Sequence, residues 1–229
     1  MKKWLFLGLI GLTSGAFAQK NPDYYQKQDY EYRSVPTRNM KSPFERYTHY
    51  QITARYGVAL PMGSLKDYTN TSSKYNYNIS GEFVYPKNYS IGLQFSYMYF
   101  KERSPRQIYT FDNQDISAIQ TRSLGATSLH VFGKYYFTDA NAQVRPYVMA
   151  AVGGSAMRNL TYYGYLQDGQ NKAAFSGQLG AGARFLFARN GNFGADVQAT
   201  YFYSPYKNSG YLSNVAAVSA SAGLFYRWW

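Results

Sequence analysis

From His49 to Leu60 the chain alternates between two kinds of residue at nearly every step. Tyr50, Ile52, Ala54, Tyr56, Val58 and Leu60 fall on one side, and His49, Gln51, Thr53, Arg55, Gly57 and Ala59 on the other. A period of two belongs to a β-strand, whose successive side chains leave opposite faces. The pattern recurs. Tyr75, Tyr77, Ile79, Phe83 and Tyr85 oppose Asn76, Asn78, Ser80 and Glu82. After a tight turn at Pro86-Lys87-Asn88, Tyr89, Ile91, Leu93, Phe95, Tyr97 and Tyr99 oppose Ser90, Gly92, Gln94 and Ser96. Five more strands are predicted, over about 123–137, 147–157, 174–187, 193–203 and 215–228. The fifth is the least clear, because both of its faces are small or apolar.

The segments between strands alternate in length. Residues 61–74, 101–120, 158–173 and 204–214 read as long polar loops, whereas 86–88, 138–146 and 188–192 are shorter and rich in Pro, Asn, Asp or Gly. Eight strands with this asymmetry predict an all-β fold, an eight-stranded antiparallel up-and-down transmembrane β-barrel with both termini on the short-turn side. A soluble barrel would alternate in the same way, since period alone does not separate inside from outside. Tyr and Phe gathered at strand ends, as in an interfacial girdle, favour the membrane form. A polar face mixing Gln, Asn, Ser, Arg, Glu and Asp favours it too.

The N-terminal region lacks this period. Lys2 and Lys3, the apolar run Trp4 to Leu12 and the small-x-small site Ala16-Phe17-Ala18 predict a signal peptide over residues 1–18. Its apolar run is shorter than the ~20 residues a membrane helix needs. Residues 19–47, with Pro22, Pro36 and Pro43, read as an irregular periplasmic extension, and residues 48–229 as the barrel.

Composition changes the picture in three places. There is no cysteine, which excludes disulfides, Cys-ligated metal and a lipoprotein anchor. The 26 Tyr suit a surface that is part lipid and part water. The net charge of +12 is scattered without a compact basic run, so it reads as loop and lumen charge and as contacts to anionic head groups rather than as nucleic-acid binding.

The last strand, Val218-x-Ala220-x-Ala222-x-Leu224-x-Tyr226-x-Trp228, resembles the C-terminal signature of outer-membrane β-barrels. Gly57-Val58-Ala59-Leu60-Pro61-Met62-Gly63-Ser64-Leu65-Lys66-Asp67, Lys134-Tyr135-Tyr136-Phe137 and Arg145-Pro146-Tyr147 resemble segments of the outer membrane protein β-barrel domain group, the OmpA-, OmpX- and OmpW-like small barrels. Trp229 is an extra residue after the terminal aromatic, which leaves the register open by one. The resemblance implies outer-membrane location, contact with lipid and lipopolysaccharide, and recognition of Leu224, Tyr226 and Trp228 by the barrel assembly machinery. It specifies fold better than function, since this architecture serves structural proteins, adhesins, small channels and a few lipid enzymes.

Candidate chemistry lies on the inward positions: Arg55, Glu82, Gln94, His130, Lys134, Gln178, Arg184, Asp196, Gln198 and Arg227. An eight-stranded barrel is only wide enough for side chains to fill, so these charges must pair. The expectation is a plug in which Glu82 and Asp196 neutralise Arg55, Lys134, Arg184 and Arg227. His49 and His130 are the two histidines, and neither is expected near a Ser and acid arrangement or a lipid substrate, so no enzyme, cofactor or metal is expected. Gly177-x-x-Gly180-x-Gly182 lies on a strand with no following helix and reads as close packing rather than a phosphate loop.

These observations predict a non-enzymatic barrel that serves envelope integrity or surface contact through its loops. Exposed contact candidates are Tyr68, Arg103, Arg106, Tyr109, Phe111, Tyr162, Tyr163, Tyr165, Tyr206 and Tyr211. Two alternatives remain open. One is a narrow channel for small or apolar solutes. The other is a subunit of a larger envelope or secretion complex, contacted through residues 19–47 or the extracellular loops.

Overall fold

A computed structural model describes residues 42–111, 114–163, 166–188, 190–207 and 212–229. The signal peptide, residues 19–41 of the extension, Tyr165 and Tyr211 lie outside the described residues, as do the side chains of Tyr109, Phe111 and Tyr163. The chain runs α1 (Pro43–Arg46), β1 (His49–Met62), α2 (Ser64–Tyr68), β2 (Ser73–Val84), β3 (Tyr89–Phe111), β4 (Gln114–Tyr136), β5 (Val144–Tyr163), β6 (Leu166–Leu186), β7 (Phe193–Ser204) and β8 (Val215–Trp228).

All neighbouring strands are antiparallel, and β8 returns to pair with β1, so the sheet closes in sequence order as an eight-stranded up-and-down barrel. Closure leaves no sheet edge within the barrel wall, the condition a β-sheet must meet to stand in lipid. The register of β8 is settled by Tyr50↔Trp228, Ala54↔Leu224 and Val58↔Ala220, with Trp229 beyond the last pair.

The wall is apolar outside and polar inside. Ile52, Leu60, Ile79, Leu93, Leu129, Val131, Val152, Leu179 and Leu224 are exposed, while Gln51, Thr53, Ser80, Gln94, His130, Ser176 and Gln198 are buried. That polarity is the reverse of a soluble barrel and fits a hydrocarbon surround. Aromatic rings band the outer wall at both ends. At the short-turn end Phe193, Tyr226, Trp228, Tyr50 and Phe83 are joined ring to ring, with centroids 4.7–5.7 Å apart. At the other end Tyr56, Tyr77 and Tyr97 form a row across β1, β2 and β3. On β3, Tyr89 stands roughly 26–33 Å along the strand from Tyr97 and Tyr99, from a rise of about 3.3 Å per residue. With the usual tilt that spans roughly the 25 Å apolar band of an outer-membrane barrel.

Two sequence expectations are corrected. Residues 101–120 and 158–173 are not long loops: most of each continues the strands. β3 and β4 stay paired out to Phe111↔Gln114, and β5 and β6 out to Tyr163↔Leu166. Yet β2 leaves β3 at Tyr99, and β7 meets β6 only from Gly177. The outer parts of β3 to β6 therefore form a sheet flap beyond the barrel rim. Mostly polar residues, few of them buried, gave no period to read there. The second correction concerns residues 42–47, expected to be irregular. They contain one helical turn with a capping box between Ser42 and Glu45, and it buries Phe44.

Candidate functional site

The interior is built in layers, each set by strand register. The charged layer lies toward the short-turn end. Across β6, β7, β8 and β1 the register aligns Arg184, Asp196, Gly223 and Arg55. Gly223 matters here, because a Cβ would meet the Ala54 carbonyl at 1.9 Å. Its missing side chain lets Arg55 reach across to Asp196, with Nε donating at 2.5 Å. On the other side Gln51, Glu82 and Gly92 are aligned across β1, β2 and β3. A Cβ on Gly92 would meet the Gly81 carbonyl at 2.1 Å and Glu82 Cβ at 2.8 Å.

Glu82 is the hub. Its carboxylate accepts from Lys134 Nζ at 3.0 Å and Arg184 Nη2 at 2.6 Å. It also accepts from Gln51 at 2.9 Å, Ser90 at 2.6 Å and the Tyr136 hydroxyl at 3.1 Å. Asp196 accepts from Tyr147 at 3.0 Å, and its second oxygen lies 3.7 Å from Arg184 Nε, so Arg184 spans both acids. Arg55 also donates to Asn78 and Ser80. Five of the six charges singled out from sequence thus meet in one buried cluster.

Arg227 does not join it. Its guanidinium donates to the carbonyls of Gly191 and Ala140 and to Asn141 Oδ1, and it stacks on Phe44 at 3.8 Å. Arg145, which sequence reasoning missed, does parallel work. It donates to Thr138 O and Asn88 Oδ1 and stacks on Tyr136 at 3.8 Å. Together the two arginines tie the three short turns to the barrel end. Arg145 precedes a proline at the start of a strand whose two faces read alike, so its parity gave no signal. Phe44, with Trp229 and His49 packed edge-on against it, closes that end.

The middle layer is uncharged. Gln94 donates to Gln178 at 2.8 Å. His130 Nε2 lies 2.8 Å from Ser176 Oγ, which continues to Ser155 at 2.5 Å and Ser128 at 2.6 Å. A serine stands beside His130, with no acid hydrogen-bonded to the ring among the described residues. Register created the pair, for the two residues are 46 apart in sequence. The dyad lacks the rest of a catalytic arrangement among the described residues. His130 Nδ1 has no partner to orient the ring, and His130 and Ser176 are fully buried.

The far end is stoppered by apolar packing. Met98, Phe100, Leu124, Met157 and Phe202 fill the lumen, and Leu65 and Tyr68 of α2 together with Tyr206 and Leu212 cover them. Tyr68 donates to Asn159 at 2.5 Å, and Ser64 and Asn214 join α2 to the β7–β8 connection at 2.7–3.1 Å. Burial, with Tyr68 adjacent, pushes the Tyr206 hydroxyl pKa up and keeps it protonated. Tyr68 and Tyr206 were expected to be exposed contacts, and both are lid residues instead. Their aromatic faces complete a core that exists only once the barrel closes. Arg103 and Arg106 remain exposed on the flap, and Tyr162 is half-buried.

No family model matches the chain, and no curated protein matches it in sequence. Several solved structures share its architecture. Neisserial surface protein A is 16% identical with a TM-score of 0.49, the match covering 78% of this chain and 96% of that one. Ail, the attachment invasion locus protein of Yersinia pestis, is 15% identical at 0.44, covering 79% and 97%. The outer membrane protease OmpT of Escherichia coli is 9% identical at 0.41, covering 82% and 99%. At such identities and scores none of their activities transfers to this chain.

Proposed function

We propose that this chain, an eight-stranded barrel of the small outer-membrane type, is a non-conducting, non-enzymatic surface protein that displays the β3–β6 flap as its contact surface. On this reading residues 1–18 direct export. The alternating face of β8, with Leu224, Tyr226 and Trp228, is read by the barrel assembly machinery, and the apolar wall sits among outer-membrane lipid and lipopolysaccharide. The observation that carries the reading is a lumen occupied along its whole length. A polar pair of ends would leave a path for solutes, whereas here an ion-paired layer, a hydrogen-bonded layer and an apolar stopper follow one another. The sealed His130–Ser176 pair supports a structural role over a catalytic one. The flap supports surface contact. Its exposed Lys101, Arg103, Arg106 and Lys172 stand against Asp168, and its outer strands leave backbone groups unpaired with the barrel at β3 and β6.

Two measurements test this together. In planar bilayers the purified protein is expected to give no steady single-channel conductance; stable openings would overturn the non-conducting reading. In cells lacking the protein, the full chain is compared with a form in which residues 104–118 are replaced by a short Gly-containing turn. Surface attachment is expected only with the full chain. Equal attachment by both forms would remove the flap from the function.

A further inference from the structure

Seven charged side chains are buried among the described residues: Arg55, Lys134, Arg145, Arg184 and Arg227 against Glu82 and Asp196. A guanidinium does not shed its proton in a protein. Even a neutral Lys134 would therefore leave four positive charges facing two negative ones. The excess is local. Glu82 and Asp196 are engaged by Arg55, Lys134 and Arg184, whereas the partners of Arg145 and Arg227 are neutral carbonyls and amide oxygens. Arg145 and Arg184 both stack on Tyr136, at 3.8 and 4.3 Å from its centroid, so two like charges are held near one ring. Unpaired charges in a low-dielectric interior are costly, and neutral dipoles offset only part of that cost.

Where the excess gathers there is a hole. A cavity of about 10 Å³ lies between Arg145, Arg184 and Arg227, with Gln51, Leu186 and Phe225 among its walls. It is about the volume that admits one guest of water's size. Arg145 and Arg227 border it with no acid among the described residues hydrogen-bonded to either, whereas Arg184 on its third side is held by Glu82 and Asp196, and Gln51 Nε2 is committed to Thr53 and Glu82. We propose that this cavity is a binding site for one monatomic monovalent anion, a halide, whose charge offsets the cationic excess of Arg145 and Arg227, with Arg184 on its third side. Polyatomic anions such as sulfate or gluconate are too large to enter. The site would lock the turn end of the barrel, because Arg145 and Arg227 also hold the three short turns.

The test uses the full-length folded protein in detergent. The temperature of half-conversion to the unfolded gel form is measured at fixed ionic strength as chloride replaces gluconate. A saturable rise of a few degrees is expected with chloride or bromide and none with sulfate, as for any ligand that binds only the folded state. Arg145→Gln and Arg227→Gln should each flatten the halide response, while Arg158→Gln on the outer wall should keep it. Should the lumen variants fail to fold, crystals of the unaltered protein grown in bromide decide the matter by anomalous scattering. A bromide peak between Arg145, Arg184 and Arg227 is the expected result. Water alone in the cavity, or equal stabilisation by chloride and gluconate, would overturn the proposal.

Discussion

At the residue scale the interior separates two kinds of buried cation. Lys134 shares Glu82 with Arg184, whereas Arg227 is held by carbonyls. Glu82→Ala would strand Lys134 and leave Arg184 only its 3.7 Å contact with Asp196, and breaking a buried pair costs about 3–5 kcal/mol. The loss should shrink when Lys134→Met accompanies it, because the double variant no longer buries an unmatched ammonium. Arg227→Ala combined with Glu82→Ala should be additive, as the two share no partner. Urea unfolding in lipid vesicles reads both cycles. Additivity in the Glu82–Lys134 cycle would refute the pairing, and coupling between Arg227 and Glu82 would place Arg227 in the network after all.

At the element scale the question is which face of each strand meets lipid. Leu93 and Gln94 are neighbours on β3, one exposed and one fully buried. Arg at Leu93, or at Val131 beside it across the β3–β4 pair, is expected to cost about 2–4 kcal/mol near mid-membrane. A polar replacement at Gln94 should cost much less than Arg at Leu93. Single cysteines introduced into this cysteine-free chain give an independent reading. Lipid-soluble reagents should label positions 93 and 131 and spare 94 and 130. Water-soluble reagents reaching 93 and 131 while lipid reagents do not would show that the outer wall faces water.

At the scale of the whole molecule, closure makes the fold cooperative. Each strand's hydrogen bonds are completed by two neighbours, and β1 depends on β8 as well as β2. The folded form should therefore resist detergent and migrate faster than the boiled form on a gel, in a single all-or-none step. A chain recovered in soluble extracts without detergent would contradict the lipid-facing wall.

The alternation along the chain by itself determined the strand count, the faces, and the placing of Glu82 and Asp196 with basic residues in one lumen, though it put Arg227 in their network as well. Strand geometry is local, and a period of two assigns each side chain to a face before any contact forms. Other features required the closed structure. Which cation meets which acid depends on register, and on Gly223 and Gly92 leaving room across the barrel. The His130–Ser176 chain joins three strands through residues far apart in sequence. Tyr68 and Tyr206 became a lid because the end they cover exists only after eight strands close. The flap carried no period because its residues are mostly polar and few of them are buried, and Arg145 was hidden because its strand has no polar side to reveal it. Local pattern fixes direction and face, while distances around a closed barrel are set by all eight strands together.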